Sequence, residues 1–256
     1  MSLLIEGDGA PLVLLHGIGG NAESFRPQIE VFGGRYRCLA WNMPGYGGTP
    51  LVEPPDFRSL AATLRSDLSR LGIERAHFLG HSIGGMIVQE LAATSPELVR
   101  SMILAATSPA FGSRDDRFRQ RFLAERLAPL DAGITMHDLA AALVTTLVST
   151  HADPDGVRRA LAAMRAVPET TYRAMLECLV TFDRRESLGS HRMPALLLAG
   201  DVDRTAPAPM MERMAGRIKG ARFAVVRRAG HLLHLEQPRA FNALVMAFLQ
   251  EVDHTL

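Results

Sequence analysis

The sequence predicts an α/β fold: a mostly parallel central sheet flanked by helices, with an all-helical cap inserted ahead of one of the last strands. Three observations carry this. Short apolar runs alternate with longer amphipathic segments. Most of the runs meet Gly, Pro or Asn within a few residues of their ends, as buried strands do. The alternation stops over residues 108–192, where only helical patterns occur. Strand alternating with helix gives a sheet covered on both faces.

The strand patterns run in order. A first short one fits residues 2–6, and buried runs follow at 12–15, 37–41, 76–79, 101–105, 195–199 and 222–226. Between them, residues 57–71 place Leu60, Ala61, Leu64, Leu68 and Leu71 at helical spacing. Residues 83–93 do the same with Met86, Ile87, Glu90 and Leu91. Phe241, Leu244, Val245 and Phe248 form a last apolar stripe after Pro238, a residue suited to a helix start. Within the insert, helices fit 116–127 (with four arginines), 136–148, 155–166 and 169–182. The core is therefore expected over 1–107 and 193–256, and the cap over 108–192. A helical insert between two parallel strands is expected over the sheet's carboxyl edge, where ligands bind in open α/β sheets. Its recurrent apolar residues are Phe118, Phe122, Met136, Leu143, Leu147, Met175, Leu179 and Phe182. Most of these are expected to hold the cap helices together, and the rest to face the catalytic edge.

Length and composition bound the class. The 256 residues suit one α/β domain with a modest insertion. A net charge of +1, with no basic arm or acidic tail, gives no reason to expect nucleic acid. Cys38 and Cys178 are the only cysteines, too few for a disulfide framework and not spaced as metal ligands. No signal-peptide pattern opens the chain, and no apolar stretch approaches a membrane span. A soluble, cytoplasmic protein is expected, acting on a small molecule and needing neither cofactor nor metal.

Gly80-His81-Ser82-Ile83-Gly84 reads G-x-S-x-G. The pattern is weak alone, because Gly and Ser are common. Its setting strengthens it: a strand run enters and a helical pattern leaves, which pushes a serine out at the top of a sheet. A serine hydroxyl needs a neighbouring base. Of nine histidines, His231 stands on the loop after the last strand pattern, at the same sheet edge, whereas His234 looks like a packing residue and His77 lies within a strand. The base in turn needs an acid to fix its tautomer. Asp201 and Asp203 both follow the 195–199 strand, and one of them has structural duty. No acid directly follows the 101–105 strand. Finally, His16-Gly17-Ile18-Gly19-Gly20 follows the 12–15 strand. The N–H groups of Ile18 and Ile83 could form an oxyanion hole, though a plain glycine turn has the same residues.

Taken together, His16-Gly17-Ile18-Gly19, Asn42-Met43-Pro44-Gly45-Tyr46-Gly47, Gly80-His81-Ser82-Ile83-Gly84-Gly85, Gly200-Asp201-Val202-Asp203 and Gly230-His231-Leu232-Leu233-His234-Leu235-Glu236-Gln237-Pro238 resemble the α/β-hydrolase superfamily over essentially the whole chain. Within it the chain is similar to small capped carboxylesterases and lactonases, 3-oxoadipate enol-lactonases among them. The resemblance implies a nucleophile at Ser82, an acid at Asp203, a base at His231 and oxyanion donors at Ile18 and Ile83. Many relatives have Asp where this chain has Asn42, so one loop interaction is expected to differ. The short N-terminus leads to the expectation that the sheet lacks a strand found in relatives.

The expected function is hydrolysis of a small or medium carboxylic ester or lactone through an acyl-enzyme. C–C bond hydrolysis of a diketone-type substrate is the alternative; His81, where many such relatives have Asn, speaks against it. A cofactor-free perhydrolase and a non-catalytic ligand-binding protein are further readings. Arg114, Arg117, Arg119 and Arg121 could hold a substrate carboxylate, although such a run is more often a solvated helix face.

Overall fold

Seven strands, β1 (Leu3–Glu6), β2 (Ala10–Leu15), β3 (Tyr36–Trp41), β4 (Ala76–His81), β5 (Val99–Ala105), β6 (Ala195–Gly200) and β7 (Arg222–Val226), form one sheet in the order β1-β3-β2-β4-β5-β6-β7. The structure is a computed structural model that describes residues 2–112 and 116–255. β1 is antiparallel to β3, pairing Leu3 with Trp41, and every other pairing is parallel. The N-terminal residues thus add an edge strand, β1, where a short one was expected over 2–6.

Alternation along β2 shows how the sheet is covered on both faces. Val13 and Leu15 join one apolar cluster with Leu60 and Leu64 of α2 (Phe57–Arg70) and Ile87 and Leu91 of α3 (Ile83–Thr94). Leu12 and Leu14 join the other, with Ile29 of α1 (Arg26–Phe32) and Phe241, Val245 and Leu249 of α10 (Pro238–Thr255). Burying a leucine of this kind is worth about 1.5–3 kcal/mol. Capping sets the helix start of α2: Asp56 accepts the Ser59 N–H at 2.7 Å, and Ser59 Oγ accepts the Asp56 N–H at 3.1 Å.

Between β5 and β6 lie four helices, α4 (Asp116–Asp131), α5 (Met136–Leu147), α6 (Pro154–Arg165) and α7 (Glu169–Leu179). Met136, Leu139 and Val144 of α5, Met164 of α6 and Met175 of α7 belong to the same apolar cluster as Val13 and Leu15, so this insert shares one core with the sheet face below it. Arg184 closes it against α3 through a two-pronged ion pair with the buried Glu90, at 2.5 and 2.6 Å. Two short helices, α8 (Ala208–Ala215) and α9 (Leu233–Glu236), follow β6 and β7.

Parallel pairing brings the carboxyl ends of β2, β4, β5, β6 and β7 to one edge, with Leu15 opposite Gly80, His81 opposite Ala105 and Gly200 opposite Val226. Every candidate motif lies just beyond that edge.

Candidate active site

Ser82 occupies the turn from β4 into α3 with φ 53° and ψ −121°. Such a backbone costs of order 1–3 kcal/mol and persists only where its surroundings hold it. Small neighbours make it possible. A Cβ at Gly80 would fall 2.5 Å from the Gly84 carbonyl oxygen, and one at Gly84 would overlap the carbonyl of Leu15. The Ser82 N–H donates to the Ala105 carbonyl at 2.9 Å, and the Thr107 hydroxyl donates to the Ser82 carbonyl at 2.7 Å. The elbow is thus pinned to the end of β5 from both sides.

His231 follows β7 and reaches Ser82 Oγ with Nε2 at 3.1 Å. Its Nδ1–H donates to Asp203 Oδ2 at 2.9 Å. Asp203 Oδ1 accepts the N–H groups of Thr205 and Ala206 at 2.7 and 3.0 Å. Burial raises the Asp203 carboxyl, but the bond and charge of His231 and the two backbone donors outweigh it and hold its pKa below the ordinary value. Asp201, by contrast, accepts the Ala229 N–H at 3.1 Å and shapes the loop that leads to His231. The structure therefore brings Ser82, His231 and Asp203 into one hydrogen-bonded chain and leaves Asp201 outside it.

Ile83 is the first residue of α3, so its N–H has no partner within the helix. Facing it, residues 17–20 form a turn closed by the Gly20 N–H to the Gly17 carbonyl at 2.9 Å. A Cβ at Gly17 would lie 2.9 Å from His81 Nδ1 and 3.3 Å from Ser82 Cβ, so glycine lets the loop carrying Ile18 close on the serine. His16 anchors that loop. Its Nε2 accepts the Met43 N–H at 3.2 Å, which leaves Nδ1–H to donate to the Gly17 carbonyl at 2.8 Å. Asn42 keeps an acceptor in place, taking the Ala22 N–H at 2.8 Å on Oδ1, a bond that an aspartate oxygen would make equally well.

A cavity of about 660 Å³ opens on Ser82 and His231. Its floor is the loop of Gly17, Ile18 and Gly19. The insert supplies much of its wall through Phe118, Phe122, Leu143, Leu147, Met164 and Leu179. Met136, Met175 and Phe182 are buried away from the cavity, while Phe122, Leu143 and Leu179 both line it and pack against the apolar cluster that the insert shares with the sheet. The described residues of the arginine run do not line it. Arg114 lies outside the described residues; Arg119 pairs with Asp116 at 3.4 Å and Arg121 with Glu125 at 3.9 Å. Arg117, Arg119 and Arg121 are absent from the cavity wall, to which Arg126, Arg185 and Arg204 contribute.

Sequence reasoning assigned no role to His16 or His81, whereas His234 was expected to pack, as it does. His81 is buried, and its Nε2–H donates to the His231 carbonyl at 2.8 Å. His234 packs against His81 and Phe25, with ring centroids 4.5 and 5.2 Å apart. Burial lowers the pKa of His16 to about 4 and of His234 to about 3, and pushes His81 well below the usual value, so all three are neutral at pH 7. For His16 and His81 the only sequence signal is their place within the candidate motifs.

A second Ser–His–Asp chain lies at the opposite end of the sheet. His77 Nδ1 is 2.7 Å from Ser101 Oγ, and His77 Nε2 is 3.2 Å from Asp253 Oδ1. Ser101 and His77 are fully buried and absent from the cavity wall, so this serine meets no substrate. Burial also lowers the His77 pKa to about 4.

These buried neutral histidines set an acid limit. Above pH 6.5 neither the folded nor the unfolded chain protonates them. Below it the unfolded chain takes up protons that the folded chain refuses, until about pH 4 at His16 and His77 and about pH 3 at His234. Each such histidine then removes up to about 1.4 kcal/mol of stability per pH unit. The melting temperature is expected to be nearly flat from pH 8 to 6.5 and to fall steeply from 6.5 to 4.5. Thermal melts across that range check this, and a flat profile down to pH 4.5 contradicts it.

Among the described residues, no three His, Cys, Asp or Glu are grouped to hold a metal ion, and no helix is long and apolar enough to cross a membrane. Comparison with known proteins adds four findings. The family described as alpha/beta hydrolase fold matches residues 10–238. The chain is 31% identical to an Azorhizobium caulinodans protein named as a carbamate hydrolase, RutD, over 97% of this chain and 94% of that one. It is 28% identical to the pimeloyl-[acyl-carrier protein] methyl ester esterase of Aeromonas hydrophila, over 97% and 100%. Among solved structures, the enol-lactonase from Burkholderia xenovorans LB400 superposes with a TM-score of 0.88 at 23% identity, over 97% of this chain and 95% of that one.

Proposed function

Because the chain belongs to the alpha/beta hydrolase fold family, we propose that it hydrolyses a small or medium carboxylic ester or lactone through an acyl-enzyme on Ser82. The observation that carries this reading is the Ser82–His231–Asp203 chain, with its 3.1 and 2.9 Å links, opening on the cavity. The relatives include one named as a methyl ester esterase and one named as a carbamate hydrolase, and both names fit hydrolysis at a carbonyl carbon.

His231 Nε2 takes the proton of Ser82 as Oγ attacks the carbonyl carbon. The carbonyl oxygen becomes an oxyanion and is met by the N–H groups of Ile18 and Ile83; such a donor is typically worth about 2.7–4 kcal/mol. Asp203 holds the Nδ1–H tautomer and stabilises the imidazolium. The imidazolium returns its proton to the leaving alkoxide as the ester bond breaks. Water then attacks the acyl-serine, again giving its proton to His231, and the acid departs as Ser82 regains its hydroxyl. The helices over residues 108–192 act as a cap that shapes the acyl site.

Chain-length selectivity tests the substrate class. The wall is mostly apolar, and each methylene that reaches it is worth roughly 0.8 kcal/mol. In a p-nitrophenyl ester series from acetate to laurate, kcat/KM is expected to rise over the first added carbons and then fall as the chain meets the cap. A continued rise to laurate contradicts the reading. Arg126, whose guanidinium carbon lies 5.6 Å from the Phe122 ring centroid, brings charge to this wall. Preference for an ester with a terminal carboxylate over its neutral isostere would assign the distal site to an anion.

A further inference from the structure

We propose that Glu236 is a positioning residue that fixes the His231 loop and docks the cap onto it, so that the general base and the cap share one anchor. This rests on the reading of His231 as the base. Glu236 ends the four-residue helix α9 and is buried, 2% exposed. Its carboxylate accepts three backbone N–H groups. Oε2 takes those of Gly230 at 2.9 Å and Ser149 at 2.6 Å, and Oε1 takes that of Leu232 at 3.0 Å. Gly230 and Leu232 are the two residues that flank His231. Ser149 lies just beyond the end of α5, on the insert.

One carboxylate therefore binds the peptides on both sides of the histidine and a peptide of the cap. A buried carboxylate is costly unless its oxygens are filled, and here backbone donors fill them, with no Arg or Lys partner among the described residues.

Other contacts follow the same seam. The His231 N–H donates to the Leu147 carbonyl at 2.7 Å, and the Asp153 N–H donates to the Glu236 carbonyl at 3.0 Å. The Ser149 hydroxyl donates to the Arg228 carbonyl at 2.6 Å. Glycines let the backbones meet: a Cβ at Gly230 would overlap the Leu147 carbonyl, and one at Gly156 of α6 would overlap that of Leu235. The seam thus joins the C-terminal end of α5 and the start of α6 to the base loop. Asp153 and Arg228 join the seam through backbone atoms, whereas Glu236 joins it through its carboxylate, which does not touch Ser82 or line the cavity. Its effect on chemistry runs through the position of the imidazole, whose links to Ser82 and Asp203 leave little slack. A misplacement of about 1 Å can cost on the order of 100-fold in rate.

Glu236→Gln tests this, because it keeps the shape and one acceptor oxygen but turns an NH2 toward at least one backbone N–H. Active sites are counted by fluorophosphonate titration, so that loss of folded protein is separated from loss of rate. Per-site kcat on a p-nitrophenyl ester is expected to fall about 10- to 100-fold, with KM changed less than about threefold. The rate of Ser82 phosphonylation is expected to fall with it. A merely structural role would lower the titrated fraction and leave per-site kcat at the wild-type value, and that result overturns the proposal. Amide exchange in the wild-type protein supplies a second measurement that needs no variant. The Gly230, Leu232 and Ser149 amides are expected to open together, and three unrelated exchange rates overturn the shared anchor. If the wild-type protein shows neither ester turnover nor labelling at Ser82, the underlying reading of His231 fails, and this inference falls with it.

Discussion

Ser82→Ala is expected to lower turnover of an activated ester by roughly 10⁵- to 10⁶-fold, the scale seen when a triad nucleophile is removed. The fold should survive the change. Alanine meets the same backbone strain at φ 53° that serine does, and among the described residues Oγ links only to His231, at 3.1 Å. The backbone bonds that hold the elbow, from the Ser82 N–H to Ala105 and from Thr107 to the Ser82 carbonyl, do not involve the side chain lost. Steady-state kinetics with a thermal melt on the same sample checks both halves. Turnover above about 1% of wild type in a folded variant would place the chemistry elsewhere.

Asp203→Asn is expected to cost about 10⁴ in turnover, while Asp201→Asn costs little. In the Asp203 variant one amide oxygen can still accept the Thr205 and Ala206 N–H groups, so the turn persists. The amide nitrogen would then face Nδ1 of His231, and the ring could meet it only with the proton moved to Nε2, the atom that must accept the serine proton. Asp201 takes a single N–H, that of Ala229, and asparagine retains that acceptor. Side-by-side kinetics of the two variants decides between the carboxylates. A large loss confined to Asp201→Asn contradicts the assignment.

The comparison of Asp201 with Asp203 marks how far the residues alone could be read. Both follow the same strand, and the resemblance to a family separated them, with Asp201, directly after the strand, better placed for turn structure; in three dimensions Asp201 shapes a loop and Asp203 meets the imidazole. Strands were legible because buried parallel strands are short apolar runs; the run at 195–199 falls within the fully buried β6. The insert helices were legible from their spacing, with ends that differ by a few residues. The helices α1 and α8 are short, and α1 carries Pro27 in its first turn, so neither gave a periodic stripe. Strand order could not be read, because periodicity says which face of a strand is buried and nothing of its neighbour.

Long-range polar bonds left no trace either. His81 and the His231 carbonyl are 150 residues apart, and Glu236 meets Ser149 across 87. The expectation for Asn42 was altered by geometry: the loop bond it makes, to the Ala22 N–H, needs only an oxygen. The chain of Ser101, His77 and Asp253 shows the opposite hazard, since residue types and distances suited to catalysis occur where no substrate can enter.

That buried chain also supplies the control for the most direct test. The protein is treated with a fluorophosphonate, its intact mass is measured, and the modified peptide is sequenced. One adduct per chain is expected, on Ser82, with formation slowed when His231 is replaced by alanine. An adduct on Ser101 or any other serine, or no adduct in a protein that still turns over esters, would contradict Ser82 as the nucleophile.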